Sequence, residues 1–247
     1  MDKKLFSCRR AAGVLICAAA LSLSSCSDKE KTPPTAKEVA IEKLEEQGVA
    51  LTPASMCEAI RVGNQEQVRL LIEAGVDVNK ADEYGYPPLS QAAEKGHSEC
   101  VKLLLAAPGI DVNKAEKEGC TPLHWAARYG HSECVKLLLA APGIDVHKAN
   151  NNGETPLYWA AFNGLSECVK LLLAVPGIDV NKANNNGYTP LYWAAENGHS
   201  ECVKLLLAAP GIDVNKADKG GCTPLYRAAN NGRSECVKLL EAAGAKN

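Results

Sequence analysis

The stretch that decides the fold is TPLYWAAENGHSECVKLLLAAPGIDVNKA, Thr189–Ala217. Close copies begin at Thr155 and Thr121, each 34 residues before the next, and a shorter copy begins at Thr223. Self-similarity at a fixed period is the mark of a repeat architecture. The sequence therefore predicts an array of one small unit instead of a single globular core.

Each copy predicts two short helices. Its threonine can cap the first helix, and its proline can take the first helical position, where a missing N–H is not needed. This helix should end near the next glycine, which is Gly198 in the copy quoted above. The second helix runs through CVKLLLAA, is apolar around most of its circumference, and should end before Pro210. Such a helix must be covered by neighbours on both sides, which predicts a stacked solenoid.

The motif TPLH at Thr121–His124, the pair Gly130 and His131, and the repeated VKLLL stretches resemble the ankyrin repeat family. The resemblance covers about Thr52–Asn247 and implies an all-α ankyrin-repeat solenoid of stacked helix-turn-helix units with protruding turns. About six repeats are expected, at 52–84, 85–118, 119–152, 153–186, 187–220 and 221–247. The histidine of TPLH is replaced elsewhere by Ser90, Tyr158, Tyr192 and Tyr226. The Thr–His hydrogen bonding of the family is therefore expected only at His124.

Both ends of the array carry a boundary feature. The segment Ala36–Gln47 has an apolar side that includes Ala40 and Leu44, with charges on the other side. This pattern predicts a capping helix within residues 36–51. At the other end, Glu241 replaces a leucine of the preceding repeat. A polar residue suits a terminal repeat, because its outer face meets water.

The first 25 residues resemble an export signal. Residues 1–25 carry four basic residues and then an apolar stretch, Ala11–Leu23, which is too short to span a bilayer. The ending LSSC, Leu23–Cys26, resembles the lipobox of bacterial lipoproteins, which implies cleavage before Cys26 and acylation of that cysteine. The sequence thus predicts a lipoprotein-type signal peptide, followed by a polar tether over residues 26–35.

Two other interpretations of this start remain open. It could be an ordinary secretory signal, or an apolar helix at the terminus of a cytosolic protein. The lipoprotein interpretation places the protein in a bacterial cell envelope, bound to the membrane through a lipid anchor. Because Ser27 follows the cysteine where an aspartate would be needed for retention, the lipoprotein sorting pattern favours the outer membrane over the inner membrane.

Charge and motifs exclude several function classes. The formal net charge is −2, and the residues after the signal are more acidic still, which argues against nucleic acid and against binding through a polybasic surface. The sequence has no GxSxG motif, no phosphate-binding glycine-rich loop, and no carboxylate pair outside the turns. We therefore expect no enzymatic activity, no cofactor and no small-molecule substrate.

The sequence has eleven cysteines, and most of those after the signal follow the repeat instead of a disulfide pattern. One position of the second helix holds Cys100, Cys134, Cys168, Cys202 and Cys236. Packed helices lie about 8–10 Å apart, whereas a disulfide needs Cα atoms within about 7 Å, so buried thiols are expected here. Cys120 and Cys222 precede Thr-Pro in the turns and are expected to be more exposed, while the state of Cys57 stays open. The His and Cys residues of the HSEC segments have helical spacings that could suit a metal ion, but no CxxC pair accompanies them. A thiol or metal redox role is therefore the least favoured alternative.

The positions that vary between nearly identical repeats predict the binding surface. In the ankyrin family, the turn tips and the exposed side of the first helix form the concave surface that grips partners. Aromatic residues at such positions are of the type that anchors protein interfaces. The predicted partner-binding residues are Tyr84, Tyr86, Lys117, Glu118, Trp125, Arg128, Tyr129, Trp159, Phe162, Tyr188, Trp193 and Glu196. We expect Tyr129 and Phe162 to be exposed, while the three tryptophans either bind the partner or pack between repeats.

The resemblance predicts a lipid-anchored protein of the bacterial envelope whose concave face binds another protein. A stabilising companion or an immunity-type inhibitor of an envelope enzyme or toxin is the alternative. The opposite face should be solvated, because each lysine of the second helices lies three residues after a glutamate. These lysines are Lys102, Lys136, Lys170, Lys204 and Lys238.

Overall fold

The computed structural model describes residues 33–246. Within that range the chain forms thirteen α-helices and no β-strand, which confirms the all-α prediction. None of these helices is both long enough and apolar enough to cross a membrane. The predicted signal peptide, Cys26 and most of the predicted tether lie outside the described residues.

One helix precedes six helical pairs. The helices are α1 (Ala36–Glu46), α2 (Pro53–Arg61), α3 (Gln65–Glu73), α4 (Pro88–Lys95), α5 (Ser98–Leu105), α6 (Pro122–Tyr129), α7 (Ser132–Leu139), α8 (Pro156–Phe162), α9 (Ser166–Leu173), α10 (Pro190–Asn197), α11 (Ser200–Leu207), α12 (Pro224–Asn230) and α13 (Ser234–Ala242). The pairs α2–α3 to α12–α13 are numbered below as repeats 1 to 6. Helix α1 packs against α3 and buries Ala40 and Leu44 completely.

The first helix of a repeat begins as the Thr-Pro motif predicts. Thr155 Oγ1 accepts a hydrogen bond from the Tyr158 backbone N–H at 3.2 Å, and proline takes the first turn of the helix. In α10 the helix then ends at Gly198, whose φ of 80° is left-handed and therefore suits glycine. The second helix α11 ends at Leu207, three residues before the proline that cannot continue it.

The core is a continuous layer between the helical pairs. In α9, Cys168, Val169 and Leu172 are fully buried, and the helix packs against both α7 and α11. The first helices form a parallel row in which α8 packs against α6 and α10. Burying a leucine side chain contributes about 1.5–3 kcal/mol. Since each repeat contacts only its neighbours, stability accumulates along the stack.

A hairpin-shaped turn precedes each first helix from α4 onward. In every hairpin one side chain accepts the backbone N–H groups two and four residues later, as Asn184 does from Asn186 at 3.0 Å and Tyr188 at 3.1 Å. The residues that do this are Asp82, Glu116, Asn150, Asn184 and Asp218. Consecutive hairpins are also bonded to each other, because the Asn185 N–H donates to the Asn152 carbonyl at 2.8 Å.

The expected exposure of Cys120 is wrong. Cys120 is only 5% exposed, because the next hairpin covers it and the Asn150 Nδ2 lies 3.5 Å from its sulfur. Cys222 is half-buried, and no further hairpin follows it within the described residues. All eight cysteines between residues 33 and 246, Cys57 among them, are free thiols. Burial raises the pKa of Cys120, Cys134, Cys168 and Cys202 to about 11.

Candidate interaction surface

The predicted partner-binding residues lie on the row of first helices and on the hairpins before them. Tyr84, at a hairpin tip, is 69% exposed, and Lys117 and Glu118 are exposed at the next tip. Tyr86, Tyr188 and Glu196 are half-buried. Tyr86 and Tyr188 contribute, with the remaining aromatic residues of the set, to two aromatic clusters, and Arg128 lies between these clusters.

The first aromatic cluster consists of Tyr86, Trp125 and Tyr129. The Trp125 ring lies 5.7 Å from that of Tyr86 and is stacked at 6.1 Å on that of Tyr129. Trp125 is only 8% exposed, whereas Tyr129 is 48% exposed. Trp125 therefore holds the cluster in the array, and Tyr129 presents its ring to solvent.

The second aromatic cluster belongs to repeats 4 and 5. Its members are Tyr158, Trp159, Phe162, Tyr188, Tyr192 and Trp193. Phe162 lies edge-on to Trp193 with ring centroids 4.8 Å apart, and Tyr188 lies 5.3 Å from the same tryptophan. The expectation that Phe162 is exposed is therefore wrong. Its ring is half-buried because the first helix of the next repeat packs against it.

Arg128 lies between the two aromatic clusters. Its guanidinium carbon is 4.2 Å from the centroid of the Trp159 ring and 5.5 Å from that of Trp125. A cation over an aromatic face contributes about 0.5–2 kcal/mol, depending on desolvation. Among the described residues no aromatic ring pair joins the two clusters, so Arg128 is the side chain that connects them.

A small cleft opens beside Arg128. Its volume is about 260 Å³, and its walls include Trp125, Trp159, Glu118 and Glu154. Sites for drug-sized ligands usually measure about 300–1,000 Å³. The cleft therefore suits one side chain of a larger partner better than a whole small molecule.

The tryptophans serve mainly to pack the repeats together. The indole N–H groups of Trp125, Trp159 and Trp193 are buried and have no hydrogen-bond partner. Trp159 and Trp193 are half-buried, so part of each ring still faces solvent. Of the two roles expected from the sequence, packing between repeats is the one that these contacts support directly.

The sequence of the array matches a known family of repeats along its length. A family model described as "Ankyrin repeats (3 copies)" matches overlapping stretches at residues 40–116, 56–150, 109–184, 142–218 and 173–247. The chain belongs to the ankyrin repeat family. Ankyrin arrays are typically non-catalytic scaffolds, and this one is suited to protein–protein interaction.

One solved structure and one named protein are similar in sequence to this ankyrin array. A crystal structure of an ankyrin repeat domain from Acinetobacter baumannii AYE is 33% identical with a TM-score of 0.70, covering 77% of this chain and 98% of that one. Mouse protein phosphatase 1 regulatory subunit 27 is 36% identical over 71 residues, which is 29% of this chain. The match spans 44% of that relative, less than half of its length.

His124 of the ankyrin array has the hydrogen bonds that the family resemblance implied. Its Nδ1 accepts from the Thr121 N–H at 3.1 Å and lies 2.8 Å from the Thr121 hydroxyl, while its Nε2 lies 3.0 Å from the Glu154 carbonyl. The network assigns the proton of the neutral ring to Nε2, which donates to that carbonyl. Burial lowers the pKa of His124 to about 4.

A buried polar network in repeats 5 and 6 was missed by the sequence analysis. The Tyr192 hydroxyl donates to Asp218 Oδ2 at 2.9 Å, and Arg227 Nη2 lies 3.4 Å from the same oxygen. Burial favours a higher pKa for Asp218, but donation from the Cys222 N–H and from Tyr192 outweighs it and the pKa is lowered. The signal was present, since asparagine becomes Asp218 and tryptophan becomes Arg227 within a single repeat.

Among residues 33–246, no group of three or more histidine, cysteine, aspartate or glutamate side chains is placed to hold a metal ion. The HSEC histidines have another role. His131 Nε2 lies 2.8 Å from the Glu94 carbonyl of the preceding repeat, and His199 Nε2 lies 3.1 Å from that of Phe162. These side chains join consecutive repeats of the array.

Proposed function

We propose that this ankyrin array binds another protein through the surface formed by its hairpins and first helices, with the two aromatic clusters and Arg128 at the centre. The observation that carries the proposal is the exposure of large aromatic side chains there, Tyr84 at 69% and Tyr129 at 48%. Exposed tyrosines next to an arginine are typical of residues that dominate binding energy at protein interfaces.

The charges around the aromatic clusters support the same interpretation. Glu118, Glu154 and Glu196 lie near them together with Arg128 and Lys117. A mixture of both signs at the rim of an apolar centre is the usual arrangement of a protein interface. The partner-binding role needs no rearrangement of these side chains, because the stacked helices already hold them in place.

Within residues 33–246, the second helices that form the opposite face contain no aromatic residue. Its lysines form ion pairs of 3.7–3.9 Å with glutamates three residues earlier in α5, α7, α9 and α11. Both partners of each pair are well exposed, and such pairs contribute about 0–1 kcal/mol. This face serves as the matched control for the binding test.

The proposal includes a lipid anchor at Cys26 and a place in the bacterial cell envelope, with the outer membrane favoured. Its support is the order of basic residues, short apolar stretch and LSSC motif at Leu23–Cys26. A polar tether would let the array reach partners close to the membrane. Anchoring would also confine the encounter to two dimensions and so raise the local concentration of the binding surface.

A role as regulator of an enzyme is the second candidate. The observation that favours it is the likeness to a protein whose name describes a phosphatase regulatory subunit. This candidate includes the stabilising companion and the immunity-type inhibitor, which would use the same surface. A purified partner with enzymatic activity would separate the two, since a regulator must change that activity on binding.

The binding surface can be tested with Tyr84→Ala combined with Tyr129→Ala. Crosslinking in intact cells followed by affinity capture identifies the partner, whose affinity for the purified variants is then measured. We expect the tyrosine pair to weaken binding by more than about 1 kcal/mol while stability stays nearly unchanged, because both rings are exposed.

The control is Lys136→Ala combined with Lys170→Ala, whose side chains are 67% and 68% exposed on the opposite face. The control should bind normally. Loss of binding in the lysine variant together with normal binding in the tyrosine variant would reverse the assignment of the face.

A further inference from the structure

Asparagine side chains bridge consecutive repeats on the loops after the second helices. Asn113 Nδ2 donates to the Gly143 carbonyl at 2.7 Å, and its Oδ1 accepts from the Asp145 N–H at 2.9 Å. Asn79 and Asn181 make the same two bonds to the repeats that follow them. Asn215 Oδ1 accepts the last bond of this kind, from the Lys246 N–H at 2.7 Å.

A second bridge joins three of the repeats to the end of the preceding first helix. The donors are His131 to the Glu94 carbonyl, His199 to the Phe162 carbonyl and Arg233 to the Glu196 carbonyl, at 2.8 Å, 3.1 Å and 3.0 Å. The bridging residue always comes directly after a glycine, and this glycine either caps the first helix or immediately follows its cap. Both kinds of bridge therefore recur along the stack.

The junction between repeats 3 and 4 has neither bridge. His147 stands where the neighbouring repeats have the bridging asparagine, and Leu165 stands where they have the bridging histidine. Within residues 33–246, neither the asparagine bridge nor the histidine bridge is present at this junction, and no other junction lacks both kinds. We call this junction, between α6–α7 and α8–α9, the seam.

Leu165 keeps the packing role of the histidine and loses its donor. A Cβ added to Gly130 would lie 2.7 Å from Leu165, just as one added to Gly96 would lie 2.5 Å from His131. The two side chains therefore fill the same place over the glycine. The seam is well packed, and what it lacks is the polar connection beside the second helices.

The contacts that remain at the seam lie on the side of the interaction surface. The Asn151 N–H donates to the Glu118 carbonyl at 2.9 Å. His124 Nε2 donates to the Glu154 carbonyl at 3.0 Å, and Arg128 lies over Trp159. The first aromatic cluster belongs to repeats 2 and 3, and the second belongs to repeats 4 and 5. The seam thus runs between the two halves of the interaction surface.

We propose that the seam divides the array into two cooperative units, repeats 1–3 and repeats 4–6, which open and unfold separately there. The missing hydrogen bonds each correspond to about a fivefold factor in the equilibrium between closed and open junctions. In a stack whose coupling runs only between neighbours, cooperativity is expected to break at a junction that lacks both bridges present elsewhere. This property of the array goes beyond the proposed function and does not depend on it.

The three tryptophans allow a direct test in the full chain. Trp159→Phe with Trp193→Phe leaves Trp125 as a reporter in repeat 3, whereas Trp125→Phe with Trp159→Phe leaves Trp193 as a reporter in repeat 5. In urea titrations followed by fluorescence, we expect the two reporters to give different midpoints. Adding His147→Asn and Leu165→His to both backgrounds restores the bridges and should bring the midpoints together.

A matched control removes the bridges from an intact junction. Asn181→His combined with His199→Leu removes both bridges between repeats 4 and 5 and so creates a second seam. This variant should move the two urea midpoints further apart. Coincident midpoints before repair, or a difference that the repair leaves unchanged, would overturn the proposal.

Amide hydrogen exchange on the unmodified chain gives an independent measurement. The N–H groups of Asp145 and Asp213 are held by bridging asparagines, and that of Asp179 has no such acceptor. We expect the Asp179 amide to exchange at least about fivefold faster than the other two. Equal protection at all three positions would also overturn the proposal, even if a tryptophan variant failed to fold.

Discussion

At the scale of single residues, His124 is the side chain whose chemistry departs most from its ordinary behaviour. It is almost fully buried, and its Nδ1 is occupied as an acceptor by Thr121. A second ring proton would have to displace those bonds in a place that water cannot reach. This is why the neutral ring is favoured in the folded chain.

The first prediction concerns the pH dependence of stability that His124 causes. Its pKa is about 4 in the folded chain against a usual 6.5, so the unfolded chain takes up the proton more readily between these values. The contribution of His124 is fully present above about pH 6.5 and is lost as the pH falls toward 4. We expect a loss of about 1–2 kcal/mol between pH 7 and pH 5, measured by urea titration.

The control for His124 is His124→Tyr, since tyrosine occupies the same position in repeats 4 and 5. This variant should lose part of the pH dependence over that interval, while the titration of other groups affects both proteins alike. An identical pH dependence in the two proteins would show that His124 is not the responsible group.

Two residues show what the sequence could not predict at this scale. Cys120 lies in a turn and Phe162 at the end of a first helix, and both positions are exposed in an isolated repeat. Each becomes buried only when the next repeat is added, because a hairpin covers Cys120 and Trp193 covers Phe162. Burial at such positions depends on contacts about one repeat away, which a local pattern does not contain.

At the scale of helices, one repeat contains both a small and a large contributor to the free energy of unfolding. Thr155 caps α8 with a single hydrogen bond, whereas Leu172 is completely buried in the middle of α9. We predict that Thr155→Ala lowers the free energy of unfolding by about 1 kcal/mol, and that Leu172→Asp lowers it by several kcal/mol and unfolds neighbouring repeats as well.

Denaturant titration with circular dichroism measures both effects. A small and equal loss in the two variants would contradict the burial of the second helices. Val175→Ala is a useful reference, because this half-buried residue lies near the end of the same repeat and should give an intermediate loss.

The start of each first helix could be predicted from the sequence, because Thr-Pro and the later glycine act through bonds within a few residues. The bridges between repeats could not be predicted in the same way. Asn113 reaches residues 30 and 32 positions away, and His131 reaches one 37 positions away. Only the stacked arrangement brings these atoms together, so the meaning of His147 and Leu165 emerges from the structure.

At the scale of the whole molecule, the proposed anchor gives the last prediction. Cys26→Ala should release the protein from the membrane fraction or leave its signal uncleaved, because the acylated thiol would be missing. The array should still fold, since its described helices begin only at Ala36. Cell fractionation with detection of the array measures this, and Cys57→Ala controls for the loss of a cysteine. Mature protein that stays fully membrane-bound in the Cys26 variant would rule out the lipoprotein interpretation.

The regular spacing of the bridges has a consequence for how the gene can change. A repeat with both bridging residues supplies a donor to one neighbour and an acceptor to the other, so a duplicated block of this kind, 34 codons long, enters the stack with both bridges made. Duplication of residues 187–220 would add a junction with both bridges, whereas duplication of residues 153–186 would copy Leu165 and add a junction without the histidine bridge. Unequal recombination between these nearly identical blocks would therefore lengthen the protein in whole steps and, depending on the block copied, either extend a stiff arm or add another point of weakness.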